Sequence, residues 1–168
     1  MAAQRTAKLV IAASLVDSIL AGVNVNRALV EMPAWQKTGP LGWAAYSRHA
    51  DLALRAAILY PLDAFAGAFL SIGAVVSFHR ERRGPRPAIV PLYVAALMTI
   101  GGLLSTIKAA PNMLSVRHLD DDTVALQRAL DGFQFWGGIR GVFQVLAFVA
   151  NVWSLVALFT PSRRPAAR

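Results

Sequence analysis

The sequence predicts an all-α integral membrane protein, a single domain (residues 1–168) built as a four-helix bundle with both termini in the cytoplasm. The first observation is composition, since 56% of the 168 residues are hydrophobic and only 15% are charged. Soluble domains carry about 25% charged residues. The second is that four apolar runs each reach the length of about 20 helical residues that a bilayer core of roughly 30 Å requires. The third is the placement of the basic residues beside these runs.

The four apolar runs are predicted spans at residues 9–30, 52–78, 88–107 and 133–159. The first has a basic start and an apolar middle, as a cleaved signal peptide does. However, Asp17 interrupts the run, and no clear small-residue cleavage site follows near residue 22. We therefore expect the first run to remain as a membrane span.

Basic residues cluster outside the apolar runs and set the predicted topology. The residues in question are Arg5, Lys8, Arg80, Arg82, Arg83, Arg86, Arg163, Arg164 and Arg168, which together with Glu81 sum to the net charge of +8. Positive flanks favour the cytoplasm, so the termini and the 79–87 loop are predicted inside, and the 32–51 and 108–132 loops outside. We expect a multi-pass protein of the plasma (inner) membrane. This charge pattern does not form a nucleic-acid-binding face.

Two outer loops carry signals of additional helix. Residues 32–51 contain Trp35, Trp43 and Tyr46 beside Gly39-Pro40, and Trp and Tyr favour the headgroup level. A short interfacial helix is predicted there. In the second loop, Asp120-Asp121-Asp122-Thr123 is typical of a helix start, which predicts helix over residues 124–130.

Polar side chains inside the apolar runs predict a cavity in the outer half of the bilayer. At 100° per residue, one side of the first run carries Asp17, Asn24, Arg27 and Glu31. One side of the fourth run likewise carries Trp136, Arg140, Gln144 and Asn151. The second run places Asp51, Arg55 and Asp63 on one broad side, with Tyr60 and Pro61 between the last two. Such stripes normally face the bundle interior, because polar groups facing lipid are expensive.

Three charged side chains lie deep in their runs, where each costs about 2.5–3.5 kcal/mol on insertion scales. They are Asp17, Asp63 and Arg140. We expect an Arg140–Asp63 pair, with Asp17 either protonated or bonded to Gln144. We interpret these polar groups in the outer half of the predicted bundle as a ligand site or, alternatively, as a network that only holds the helices together. Arg27, Arg55 and Glu31 lie near the interface, where a structural role is an equal alternative.

His49, in "SRHADLALR", is the candidate general base, with Asp51 or Glu31 to orient it. The alternative is an interfacial histidine touching headgroups. The chain has no cysteine, which excludes disulfides and thiolate metal sites. No metal or phosphate-binding motif is present, so no metal is predicted and the cofactor is unknown.

The segments "AGVNVNRALVEMPAW", "AAYSRHADL" and "FWGGIR" resemble the small four-helix membrane proteins grouped with anthrone oxygenases. The resemblance implies oxygen-dependent oxidation of a lipophilic aromatic compound without an obvious cofactor motif. It also implies that Arg27, His49 and Arg140 correspond to the polar positions of that family.

Three functions are therefore considered. The first is a membrane oxidoreductase whose lipophilic substrate enters laterally, with His49, Arg140 and Arg27 as catalytic residues. The second is a non-catalytic protein that binds lipid or a small molecule or serves as an accessory subunit, and the third is a transporter using Asp17 and Asp63. Expected partners are membrane lipids, a lipophilic small molecule and a second copy in a homo-oligomer. The predicted substrate-binding residues are Asn24, Glu31, Asp51, Arg55, Tyr60, Asp63, Trp136 and Gln144.

Overall fold

The computed structural model describes residues 4–81 and 84–160, which form helices and turns with no strand. The helices are α1 (Gln4–Asn26), α2 (Met32–His49), α3 (Leu54–Glu81), α4 (Ile89–Ser115) and α5 (Thr123–Phe159). The all-α prediction is confirmed. Five basic residues of the predicted topology signal lie outside the described residues, namely Arg82, Arg83, Arg163, Arg164 and Arg168.

Four helical stretches in the described part of the chain are long and apolar enough to cross a membrane. They are Gln4–His49, Leu54–Glu81, Arg86–Ser115 and Thr123–Phe159. Each contains one of the four predicted apolar runs or nearly all of it. This pattern indicates a multi-pass membrane protein.

The long helices form a ring in the order α1, α3, α4, α5, because α1 and α4 each pack against both α3 and α5. One end of the ring is closed by an apolar cluster around Val10, Phe78 and Leu92. At this end the Glu81 carboxylate accepts hydrogen bonds from Thr6 N at 3.3 Å and Thr6 Oγ1 at 2.8 Å. The end of α3 is thereby fastened to the beginning of α1.

A π-helical turn at Arg27–Glu31 joins α1 to α2 without a loop. Pro33 follows directly and has no N–H to donate to the carbonyl four residues earlier, and its ring crowds that carbonyl. The Met32 N–H instead donates to the Arg27 carbonyl five residues back. The widened turn lies where the charged side chains of the first run begin, and π-turns of this kind recur at functional sites.

Helix α2 bends at Gly39, which has φ 76° and ψ −179°, before Pro40. A positive φ is open to glycine at little cost, and a residue before proline avoids the helical region. The bend folds α2 back onto the ends of α4 and α5 that lie away from the Thr6–Glu81 contact. Trp35 and Trp43 are consequently buried in an apolar cluster. The helix predicted in this loop is present, and its position at the membrane surface stays a prediction.

Helix α5 starts at Thr123, as the triple aspartate predicts. The Asp122 carboxylate accepts hydrogen bonds from the Val124 and Ala125 amides at 3.0 and 3.1 Å, which satisfies donors that a helix start leaves free. The helix then continues for 37 residues to Phe159, or roughly 55 Å at 1.5 Å per residue. The predicted 124–130 helix and the fourth span are therefore one element.

The first half of α3 stands away from the bundle. No residue from 54 to 66 is buried, and the buried residues of this helix begin at Gly67. At Gly67 the approach to α1 is close, because a Cβ there would lie 2.5 Å from Asp17 Oδ1. Helices α1 and α3 thus touch at mid-height and diverge towards the end of the bundle that α2 covers.

Candidate functional site

A cavity of about 270 Å³ lies between α1, α3, α4 and α5 where α3 stands apart. Most of its wall is apolar and includes Leu20, Ala57, Pro61 and Met113. Its polar lining brings together six residues that the sequence singled out: Asn24, Arg27, Asp51, Tyr60, Arg140 and Gln144. The polar stripes of the first and fourth runs therefore do meet in one place.

Arg27 is the most highly connected of these residues and is only 8% exposed. Its Nη2 lies 2.6 Å from Asp51 Oδ1, and its Nε lies 3.1 Å from Glu31 Oε2. The guanidinium carbon is also 5.5 Å from the centre of the Phe133 ring. Two carboxylates and an aromatic face thus hold this cation in a fixed position.

Asn24 and Gln144 connect α1 to α5 beside the Arg27 group. Asn24 Nδ2 donates to Gln144 Oε1 and to the Leu20 carbonyl, the latter at 2.7 Å. Gly141 permits this approach, since a Cβ there would come within 3.3 Å of Asn24 Cβ. Both amides are buried, so they form a fixed floor for the cavity.

Arg140 differs from Arg27 because it has no ion pair in the described part of the chain. Its guanidinium carbon lies 5.8 Å from the centre of the Phe133 ring. Its Nε is buried and has no hydrogen-bond partner. A buried donor without a partner is costly, so this atom is a candidate contact for a guest molecule.

Asp51, in the turn before α3, supplies the complementary group. Its Oδ1 is paired with Arg27, whereas its Oδ2 is buried without a partner. Burial raises the pKa of this carboxyl, and the Arg27 guanidinium opposes the shift. A donor reaching Oδ2 would stabilise the charged form. Among the described residues that line the cavity, Arg140 thus has one buried donor and Asp51 one buried acceptor without a partner.

The structure leaves His49 outside this group. Its ring is exposed, and Nδ1 lies 2.8 Å from the Ala45 carbonyl of the same helix. Trp43, Ala44 and Ser47 form the buried side of α2, which directs His49 outward. His49 does not line the cavity, and Asp51 and Glu31, which were expected to orient it, are paired with Arg27 instead.

Four other candidates also lie outside the cavity lining, the first being Glu31, which is paired with Arg27. Arg55 is exposed, and Trp136 packs against the core cluster and edge-on to Phe135 at 5.2 Å. Asp63 is partly exposed and forms no ion pair with Arg140, contrary to expectation. Tyr60 and Ala64, one turn apart, occupy the cavity side of α3, and this leaves Asp63 on its flank.

Asp17 is held lower in the bundle by a different partner from the one predicted. Asn151 Nδ2 donates to Asp17 Oδ2 at 2.7 Å and to Ser71 Oγ at 3.4 Å. Gln144 is taken by Asn24. Because α1 and α5 run in opposite directions, partners one level deeper are seven residues earlier on α1 and seven later on α5. That equal spacing is the signal that identifies both pairs.

Phe133 is the residue that sequence reasoning missed. It is 2% exposed and lies beside both guanidinium groups. It precedes Arg140 by seven residues, which places both on nearly the same side of α5. The seven-residue spacing is visible in the sequence. However, an aromatic residue in an apolar run cannot be distinguished from an ordinary core residue.

The cavity is closed towards the end of the bundle that α2 covers and open at the side. The buried cluster that includes Trp35, Trp43 and Phe133 covers that end. The lining residues that remain exposed are Ala57, Tyr60 and Pro61 on α3 and Leu114 on α4. The opening therefore lies between these two helices.

A second cavity of about 460 Å³ lies on the other side of Asn24 and Arg27, between α1 and α5. Gly137, Gly138 and Gly141 form part of its wall. Within residues 4–81 and 84–160, no group of three acidic or histidine side chains is arranged to hold a metal ion. Comparison with family models, with curated proteins and with solved structures gives no match.

Proposed function

We propose that the chain binds a small lipophilic molecule from the bilayer in the cavity between its four spanning helices. The observation that carries the proposal is a largely apolar cavity lined by Arg140 and Asp51, whose Nε and Oδ2 are buried and, within residues 4–81 and 84–160, have no hydrogen-bond partner. Buried polar atoms in native structures are usually hydrogen-bonded. A guest with a polar head and an apolar body satisfies both.

The cavity size sets the scale of this guest. An engineered cavity of about 150 Å³ binds benzene, and the cavity here measures about 270 Å³. It accommodates one substituted ring or a short branched chain. A full-length phospholipid exceeds it, so only part of such a molecule would enter.

The position of the opening supports entry from the membrane. Trp35, Trp43 and Phe133 cover the outer end, whereas the exposed rim belongs to α3 and α4. A rim on the flank of spanning helices faces lipid. We infer that the guest reaches the cavity by lateral diffusion in the bilayer.

The proposed topology places the end with Arg5, Lys8, Arg80 and Arg86 in the cytoplasm, because basic residues favour that side. The membrane is the plasma (inner) membrane. The cavity then lies in the outer leaflet.

Since the chain has no cysteine, single-cysteine variants test this topology without interference from other thiols. An impermeant maleimide should label Gln36→Cys in intact cells and Arg86→Cys only after lysis, and the reverse result would overturn the topology.

Binding is tested on protein purified in mild detergent, with bound small molecules extracted and identified by mass spectrometry. We expect one species to co-purify near stoichiometry and to be lost in Arg140→Met but retained in Arg128→Met, an exposed arginine of the same helix. A folded protein carrying nothing beyond bulk lipid, and gaining nothing when supplied with lipophilic compounds, would contradict the proposal.

The second candidate is the oxidation of a lipophilic aromatic compound that the sequence resemblance implies. The observation favouring it is a buried carboxylate, Asp51, on the same cavity as two guanidinium groups. Asp51 would remove a proton, and Arg140 would stabilise the resulting oxyanion. His49 faces away and takes no part. Oxygen uptake with anthrone should then be abolished in Asp51→Asn and unchanged in His49→Ala. Loss in His49→Ala would contradict this arrangement.

A further inference from the structure

The two unpartnered atoms in the cavity also specify the head group of the guest. The Arg140 Nε can only donate, and the Asp51 Oδ2, as a carboxylate oxygen, can only accept. Both atoms are buried, and both residues line the same cavity. A single group on the guest that accepts from one and donates to the other satisfies both. A hydroxyl or a primary amide does this.

The charge of the surroundings argues against an ionic head group. Arg27 and Arg140 supply two positive charges, and Glu31 and Asp51 supply two negative charges. A sphere of about 270 Å³ is only about 8 Å across, and at such separations like charges repel strongly in an apolar medium. An anion bound to Arg140 would face Asp51, and a cation bound to Asp51 would face Arg140.

The remaining wall describes the rest of the guest. Leu20, Ala57, Pro61 and Met113 present hydrocarbon to the cavity. The amides of Asn24 and Gln144 are engaged with each other, and the Thr106 hydroxyl donates to the Gly102 carbonyl at 2.9 Å. Apolar side chains thus form most of the wall, and the guest is apolar apart from its head.

We propose that the cavity selects an uncharged amphipathic molecule whose head group both donates and accepts a hydrogen bond, with Arg140 and Asp51 as its two contacts. This inference rests on the proposed binding function and names its ligand class. Selectivity for the head group then comes from the two hydrogen bonds. The apolar wall tolerates many different apolar groups of suitable size.

The test uses the full chain in lipid nanodiscs and five probes with one fluorinated ring and different heads, followed by fluorine NMR. The probes are 4-fluorobenzyl alcohol, its methyl ether, 4-fluorotoluene, 4-fluorobenzoate and 4-fluorobenzylamine. Empty nanodiscs correct for partition into lipid. The alcohol should bind about tenfold more tightly than the toluene, since bonds to charged groups are worth that much. The ether, which cannot donate to Asp51, should bind about fivefold more weakly than the alcohol.

In Arg140→Met the alcohol should lose its advantage, while the toluene should bind as before. Arg128→Met on the same helix should behave as the unmodified protein. Tighter binding of the benzoate or benzylamine, or equal binding of all five probes, would overturn the head-group assignment while leaving the binding function intact. Absence of saturable binding for every probe would overturn both.

Discussion

Arg27 Nη2 lies 2.6 Å from Asp51 Oδ1, and this ion pair joins the turn after α1 to the turn before α3. Both residues are buried. The same aspartate leaves its second oxygen unpartnered in the cavity. One oxygen of the carboxylate therefore maintains the fold, and we propose that the other contacts a guest. Arg27 and Arg140, both cations beside Phe133, divide the same two tasks between them.

Replacing Arg27 should destabilise the protein strongly. Arg27→Met leaves the buried Asp51 carboxylate and Glu31 without their cation, and breaking a buried pair typically costs 3–5 kcal/mol. Unfolding in detergent measures the loss. The control, Arg128→Met, should stay within about 0.5 kcal/mol of the unmodified protein. Equal stability of the two variants would show that the ion pair does not hold the outer end together.

Arg140→Met should have the opposite effect on stability. The side chain has no ion pair, and its buried Nε has no partner. Removing an unsatisfied buried donor relieves a penalty of about 1–3 kcal/mol. The ligand-free variant should therefore unfold at an equal or higher temperature than the ligand-free protein. A loss as large as that of Arg27→Met would mean that Arg140 supports the fold.

The contact between α1 and α3 at mid-height predicts a strong difference between two glycines. A Cβ at Gly67 would lie 2.5 Å from Asp17 Oδ1, whereas a Cβ at Gly22 meets nothing within 4 Å. Gly67→Ala should lower the unfolding temperature by several degrees through overpacking, a cost of about 1–3 kcal/mol. Gly22→Ala should be neutral or stabilising, because alanine favours helix. Equal behaviour of the two variants would contradict this helix contact.

The Asp17–Asn151 bond should be revealed by a double-mutant cycle. Asn151→Leu leaves the Asp17 carboxylate, 2% exposed, with no donor in place of the 2.7 Å hydrogen bond, and a buried group left unpartnered costs about 1–3 kcal/mol. Replacing both partners with leucine should recover part of that loss, since no polar group then remains unpaired. Purely additive effects would indicate that the two side chains do not interact.

The fold was largely predictable because hydrophobic runs and helix signals act locally. The four apolar runs each appeared as a helix, and the aspartates before Thr123 capped α5 as expected. The lengths were underestimated, since α5 continues without a break from residue 123 to 159. Nothing in the local sequence states where the bilayer ends along a continuous helix.

The sequence predicted which side chains face the interior of the bundle, but it did not predict which residues contact each other. Helical periodicity correctly placed Asn24, Arg27 and Gln144 on interior faces. It did not predict that Asp51 is the partner of Arg27 or that Asp63 lies off the cavity, because both depend on how far the first half of α3 stands from the bundle. The bend at Gly39 likewise decided that Trp43 faces inward and His49 outward. These are tertiary facts that no local pattern contains.

Photolabelling shows directly whether a guest occupies this cavity. Nanodiscs containing the protein would be irradiated with a medium-chain alkanol that carries a diazirine, and the labelled residues located by peptide mass spectrometry. We expect saturable labelling among cavity residues such as Tyr60, Met113 and Phe133, lost in Arg140→Met and unchanged in Arg128→Met. Labelling confined to exposed residues such as Phe69 and Leu104, unaffected by Arg140→Met, would contradict a binding site in this cavity.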